Sequence, residues 1–402
     1  MALALTSATA NVEGAQIGNL SVMTFNIKAA PIEIGFDQQT SWDYIFNNDN
    51  DRRARVVSVM SDSAPDIIGV QEMVGGQLEY VQNRLPDYFH YGVSRETGAT
   101  GGPSERVGVF YRSSRFRLLS SGEFWLSETP DVAGTTFVGN GGDLNNPRMV
   151  TWVKLRDLSV GISYMVLNTH WSLDGEARRQ SGLLMQDKLQ ELSDGLPVII
   201  MGDFNETAAG AGFSALARSG LPSGAALTNA YAASGAPTGK TFHGYNGGES
   251  GYPIDSILAS NDAFVAADGE IIRTTFGGYY PSDHYPVQVL LHVLDGRSPG
   301  DFNGDGRTNG ADFLTWQRSY GDIVPMGTGA DADSDGQITA NDLPYWSNDF
   351  GAGLGFDRAL SVPEPTSTSL LGMCWATCPG VAVAATRRSS PRVQRSFRPR
   401  TD

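Results

Sequence analysis

The sequence predicts an α/β domain followed by a small duplicated unit. Three observations carry this. Between about residues 18 and 294, β-branched and aromatic runs alternate with turn residues and helical patterns. Several runs are apolar on both faces, as strands covered by helices are. From 301 to 351 one pattern occurs twice at an offset of 30 residues.

The elements follow in chain order. Residues 1–17 begin MALALTSATA, which lacks a basic start and a full apolar run but carries the small-residue pattern Ala8-Thr9-Ala10. It reads as a remnant of a signal peptide or as a plain tail. Within 18–295, strands are expected at 20–27, 66–72, 106–111, 149–155, 162–170, 197–205, 254–260 and 285–293. Helices are expected at 52–62, 76–84 and 175–192. Residues 296–300 form a turn-rich linker, 301–358 hold the repeat, and 359–402 form a tail.

Composition excludes several classes. Hydrophobic residues at 40% and charged residues at 18% fit a globular chain, not a disordered or coiled-coil one. The net charge is −15, of which residues 1–299 carry −12. That argues against broad attraction to a phosphate backbone. No helix-turn-helix, zinc finger or aromatic-basic groove is evident. The two cysteines, Cys374 and Cys378, lie near the C-terminus, so the first 373 residues can form no disulfide.

The polar residues of interest cluster at expected strand ends, where α/β folds place ligand sites. These are Asn26, Glu72, Glu105, His170, Asp203 and Asn205 in "GDFN", Asp255, and Asp283 with His284 in "SDHYP". Oxygen donors such as Asn26, Glu72 and Asp283 suit Mg²⁺. A carboxylate behind each histidine would fix its tautomer and raise its basicity. Together they suit phosphoester hydrolysis, with a metal neutralising charge and an acid and a base moving protons. Each residue alone is more often structural, and the ordered set carries the argument.

That set, "MTFNI", "DIIGVQE", "NTHW", "GDFN", "IDSI" and "SDHYPV" in order, resembles the endonuclease/exonuclease/phosphatase superfamily. The resemblance covers about residues 18–294. "SGEFWLSETPD" (121–131) and "RMVTWVKL" (148–155) look like a bacterial branch of it. It implies a deoxyribonuclease I-like four-layer β-sandwich flanked by helices. It also implies roles: Glu72 as main Mg²⁺ (or Mn²⁺) ligand with Asn26 and Asp283 close by, and His284 aligning the nucleophile, paired to Asp255. His170 would bind phosphate, backed by Glu105. Asp203 would activate water or protonate the leaving group, and Asn205 would stabilise the pentacovalent phosphorus. Two departures are present: Ser256 replaces a bulky aromatic, which would alter substrate fit, and "SLDGEARR" lacks a second Asp-His pair.

The repeat supplies EF-hand-type loop positions. Asp301, Asn303, Asp305, Arg307, Asn309 and Asp312 match Asp331, Asp333, Asp335, Gln337, Thr339 and Asp342, with Gly306 and Gly336 at the sharp turn. Arg307 and Gln337 would offer backbone carbonyls. Asp at the last position, with a helix on the C-terminal side only, resembles the duplicated dockerin module, a small all-α calcium-binding domain. The expectations are Ca²⁺ binding, folding on metal, and either a cohesin-like partner or a spacer. "VPEP" (362–365), an apolar segment to 385 and Arg387-Arg388 resemble a PEP-CTERM sorting signal. That implies transient membrane association, then release or attachment at the cell surface.

The reading is an exported, monomeric, Mg²⁺-dependent phosphodiesterase or nuclease. The alternatives are a phosphomonoesterase or lipid phosphodiesterase with the same site, and a non-catalytic calcium-binding scaffold. Loops 31–50, 95–103, 131–147 and 235–252 are expected to decide the substrate.

Overall fold

A computed structural model describes residues 16–30, 34–35, 37–44, 50–137, 146–294, 300–303, 308–324, 329–333 and 335–351. The signal remnant up to residue 15, the linker 296–299, Asp305, Arg307 and the whole tail lie outside the described residues, as do parts of loops 31–50 and 131–147. By compactness the chain separates into units 1–356 and 357–402, the second outside the described residues.

The elements are β1 (Gln16–Asn26), β2 (Ile34–Gly35), β3 (Asp43–Tyr44), α1 (Arg52–Ser63), β4 (Ile67–Met73), α2 (Gly75–Arg84), β5 (Tyr88–Tyr91), β6 (Arg106–Arg112) and β7 (Phe116–Trp125). Then come β8 (Met149–Asp157), β9 (Ser163–His170), α3 (Gly175–Leu192), β10 (Val198–Asp203), α4 (Ala211–Leu216), β11 (Leu227–Asn229), α5 (Ala230–Ala233), β12 (Asp255–Ser260), β13 (Phe264–Ile271) and β14 (Val287–Leu294). Helices α6 (Gly310–Ser319) and α7 (Leu343–Asp349) follow in the repeat.

Two six-stranded mixed sheets form the centre. One runs β13-β14-β1-β4-β6-β5 and the other β11-β12-β10-β9-β8-β7. Each holds one parallel pair, β1 with β4 and β9 with β10. A parallel pair needs a crossover connection, and α1 and α3 supply the two. Both helices start on an aspartate cap: Asp51 accepts from the Ala54 N–H and Asp174 from the Ala177 N–H.

The period of two along each strand builds three cores. Leu20, Val22, Ile67, Val166, Ile199, Met201 and Ile257 fill the space between the sheets. The alternate residues Met23, Phe25, Ile68 and Val70 pack with α1 and α2 through Val56, Met60 and Val81. Met165, Leu167, Val198 and Ile200 pack with α3 through Met185 and Leu189. The result is helix, sheet, sheet, helix. Near one end a buried polar link crosses between the sheets, where the Gln71 side-chain amide donates to Thr24 and Asn168. Gly69 leaves the room, since a Cβ there would come 2.9 Å from the Asn168 Oδ1.

All eight expected strands and three expected helices are present, within a few residues at their ends. Strands β5, β7, β11 and β13 and short helices α4 and α5 were not expected. β7 contains Ser120-Ser121-Gly122 and a register shift near Leu118, and β13 carries a shift near Ala266. Bulges break the alternation by which a strand is recognised. Gly122 is required because the Trp152 ring covers it, 2.6 Å from a would-be Cβ.

The repeat is visible in the contacts. The Asp312 carboxylate accepts from the N–H groups of Asn303 and Asn309, and Asp342 accepts from those of Asp333 and Thr339. The Trp316 indole donates to the Thr339 carbonyl, and Trp346 to that of Asn309. Each half therefore holds the other through an equivalent bond. Oxygens of Asp331, Asp333 and Asp335 lie within 4.8 Å of one another.

Candidate active site

The strand period that fills the inter-sheet core also aims the polar residues. On β1, Leu20, Val22, Thr24 and Asn26 share one face, and on β9 Tyr164, Val166, Asn168 and His170 do. On β10 Ile199, Met201 and Asp203 do likewise, as do Asp255, Ile257 and Ala259 on β12. Apolar residues occupy this face mid-sandwich, and charged ones occupy it at one end. Register brings the ends together: Asp203 lies opposite both His170 and Asp255 in its sheet.

Asp203 is the hub. Its Oδ2 accepts from the Asn26 amide at 3.0 Å and lies 3.5 Å from His170 Nε2 and 3.7 Å from His284 Nε2. Its Oδ1 accepts from the Asn205 N–H at 3.0 Å. Burial and the neighbouring Asp255 charge push its carboxyl up to about 7, against the pull of His284 and Asn26. His284 bonds Asp255 through Nδ1 at 2.8 Å. Burial disfavours its positive charge, but Asp255 and Asp203 outweigh burial and raise it to about 10. His170 is the reverse: burial, joined by the positive charges of Arg148 and Arg95, holds it well below its ordinary range, so it is neutral. One cationic and one neutral imidazole thus flank a carboxyl that can gain or lose a proton near neutrality. This is the division of labour acid–base catalysis needs.

Glu72 and Asp283 form a second group. The Asn26 amide also donates to Glu72 Oε1 at 3.0 Å, and the Ala29 N–H to Oε2 at 3.2 Å. Burial would raise the Glu72 carboxyl, but Lys28, Asn26 and Ala29 together hold it below its ordinary range. Lys28 Nζ lies between the two carboxylates, 3.5 Å from Glu72 and 3.7 Å from Asp283. The donors are hard oxygens and a cation already lies between them, so a divalent ion fits this cradle. Asp203, Asp255 and His284 also bring ligand atoms within 4.8 Å of one another, a second candidate metal group.

The sequence-derived residues converge with one altered pairing. Glu105 does not back His170. It pairs with Arg95 at 2.7 Å, and His170 meets Asp203 instead. Glu105 and His170 line one cleft with Glu72, Arg95 and Arg148, and the guanidinium is the stronger partner for a carboxylate. Asn205 donates its side-chain amide to the Trp171 carbonyl. Ser256 does not bear on substrate fit: it is buried on the face opposite Asp255, against Asn229.

Lys28 and Arg148 are not foreseen from the sequence, while Arg95 and the segment 241–245 fall within the expected substrate loops 95–103 and 235–252 without being singled out there. The segment 241–245 clips the site. Thr241 Oγ1 accepts from the Asp255 N–H, the His243 N–H donates to the Asp283 carbonyl, and Phe242 pairs with His284. Among the described residues six non-glycines have positive φ, and four of them, Lys28, Glu72, Asn205 and Tyr245, lie in or beside the site. Backbone strain of this kind gathers at functional sites. No sequence pattern announces it, because none of these is glycine.

The Endonuclease/Exonuclease/phosphatase family matches residues 8–284. The chain belongs to this family. Its members are metal-dependent phosphoester hydrolases, and this protein is an enzyme of that class. An endonuclease/exonuclease/phosphatase from Bacteroides vulgatus is similar at 29% identity and TM-score 0.59, over 69% of this chain and 99% of that one. A Bacteroides thetaiotaomicron mannosyl-6-phosphatase is similar at 27% identity and TM-score 0.55, over 68% and 99%. An uncharacterised protein of Acanthamoeba polyphaga mimivirus is 23% identical over 192 residues, 41% of this chain and 28% of that protein.

Proposed function

We propose that this family member hydrolyses small phosphoesters, sugar phosphomonoesters foremost, with Mg²⁺ or Mn²⁺ held by Glu72 and Asp283 beside Asn26. The observation that carries it is Asp203 set between a cationic His284 and a neutral His170. In this reading the metal neutralises phosphoryl charge. His284, oriented by Asp255, donates to a phosphoryl oxygen; Asp203 handles the proton of water or leaving group. His170 and Asn205 hold the remaining oxygens. The choice of monoesters rests on the −12 charge of residues 1–299 and the likeness to a protein named for that activity. The second reading, phosphodiesterase or nuclease, keeps the same residues.

The test is a hydrolysis panel with Mg²⁺ on the full chain: hexose 6-phosphates, a model phosphodiester, a sphingolipid phosphodiester and plasmid DNA. Monoesters should be turned over at least ~10-fold faster than the rest, and all activity should vanish in His284→Ala. Faster cleavage of DNA would overturn the substrate and keep the site.

In the same reading the chain is exported, and residues 301–358 bind calcium as a dockerin-like module. The tail 359–402 acts as a sorting signal. Paired loops support the calcium assignment, and the clustered Asp331, Asp333 and Asp335 would repel one another without a cation. Adding Ca²⁺ to the chelator-treated chain should change the fluorescence of Trp316 and Trp346, which bridge the loops. Asp312→Ala with Asp342→Ala should abolish the change. A response that survives the double substitution would refute calcium binding by these loops.

A further inference from the structure

The geometry points to Lys28 as a displaceable internal cation, which fills the Glu72–Asp283 cradle until a divalent ion takes its place. This inference rests on the reading of that cradle as the metal site. It adds what the metal must expel.

The anchor of Lys28 is fixed, while its head is held only by the two carboxylates. Its N–H donates to Asn26 Oδ1 at 3.0 Å, and its carbonyl accepts from Arg52 Nη1 at 2.9 Å and from Gln77 Nε2 at 3.0 Å. Arg52 is fully buried and also holds the Ile27 carbonyl. These bonds keep the backbone at φ 60, a conformation a lysine seldom adopts. The side chain beyond is 44% exposed. Its ammonium stands at 3.5 and 3.7 Å from the two carboxylates, longer than a well-made charge-assisted hydrogen bond. The contact is therefore a loose electrostatic bridge on a flexible stem.

Two carboxylates converging on one point repel unless a cation stands between them. The ammonium supplies one charge and a divalent ion supplies two, and both cannot occupy the same gap. Loading the metal must therefore push the ammonium outward, where solvent hydrates it in exchange for its two carboxylate contacts. Two consequences follow. Lys28 weakens the apparent metal affinity by the cost of its own displacement. It also steadies the metal-free site by cancelling charge.

The test is calorimetric titration of the metal-free full chain with Mn²⁺, comparing wild type, Lys28→Met, Lys28→Arg and Glu72→Gln, with a thermal melt of each before titration. Glu72→Gln identifies the binding event at the cradle, separate from any at residues 301–342. At that event Lys28→Met should bind ~10-fold more tightly than wild type, and Lys28→Arg no more tightly. The metal-free Lys28→Met chain should melt lower, and saturating Mn²⁺ should close the gap. Equal or weaker binding by Lys28→Met, with the cradle event present, would overturn the displacement and leave the metal site standing. No event lost in Glu72→Gln would overturn both. A melting defect that Mn²⁺ does not repair would reduce Lys28 to a structural contact.

Discussion

Asp203→Asn is expected to lower kcat by at least ~10³-fold while the protein stays folded, in the upper part of the range for losing a positioned acid or base. The carboxylate sits where β10 meets β9 and β12, with Asn26, His170, His284 and Asn205 all aimed at it. Burial and Asp255 keep it near neutrality, so it can hold a proton in one step and surrender it in the next. An amide of the same shape can still accept from the Asn205 N–H, which protects the fold, but it cannot exchange a proton. It also removes the negative charge that, with Asp255, keeps His284 cationic. The loss should therefore appear in kcat more than in KM. Circular dichroism and melting temperature close to wild type would show that chemistry, not folding, was lost. Retention of more than a tenth of wild-type kcat would remove Asp203 from the reaction.

Much of this site was legible because one rule made both the core and the catalytic face. In "LSVMTFN", "YMVLNTH", "VIIMGD" and "DSILAS" alternate residues point inward, so the terminal Asn26, His170, Asp203 and Asp255 had to face the gap between the sheets. The Asp255–His284 pair is one that the family resemblance implies, and it stands at 2.8 Å. The illegible parts depend on contacts that sequence does not carry. Lys28 after a strand reads as a solvated charge, and only the fold places Glu72 and Asp283 about it. Glu105 paired with Arg95 because both lie beside the loop at 95–105, a proximity no periodicity encodes. The edge strands β5 and β7 were lost to brevity and to a bulge.

His90 makes the last prediction, away from the site: this imidazole should cost the protein stability in acid. On β5 its ring packs against Phe110 at 4.5 Å, in space that Gly108 leaves open. A Cβ at residue 108 would come 2.4 Å from its Nε2. The residue is partly exposed, but Nε2 is sealed from water with no hydrogen-bond partner among the described residues. Burial, and secondarily the Arg106 charge, pulls its pKa down to about 3. In the unfolded chain it titrates near 6.5. Between those values the unfolded state binds the extra proton, so stability is complete above about pH 6.5 and falls as pH drops toward 3. By pH 4 the penalty approaches roughly 3 kcal/mol as an upper bound. His90→Leu keeps the packing and removes the proton site. Urea unfolding at pH 7, 5 and 4 should show wild type losing more stability than the variant, by roughly 2–3 kcal/mol at pH 4. Other groups that titrate in the same range, the buried His170 among them, act on both chains and cancel in the difference. Parallel losses in the two proteins would mean that the imidazole opens to water before it charges, and that β5 does not seal it.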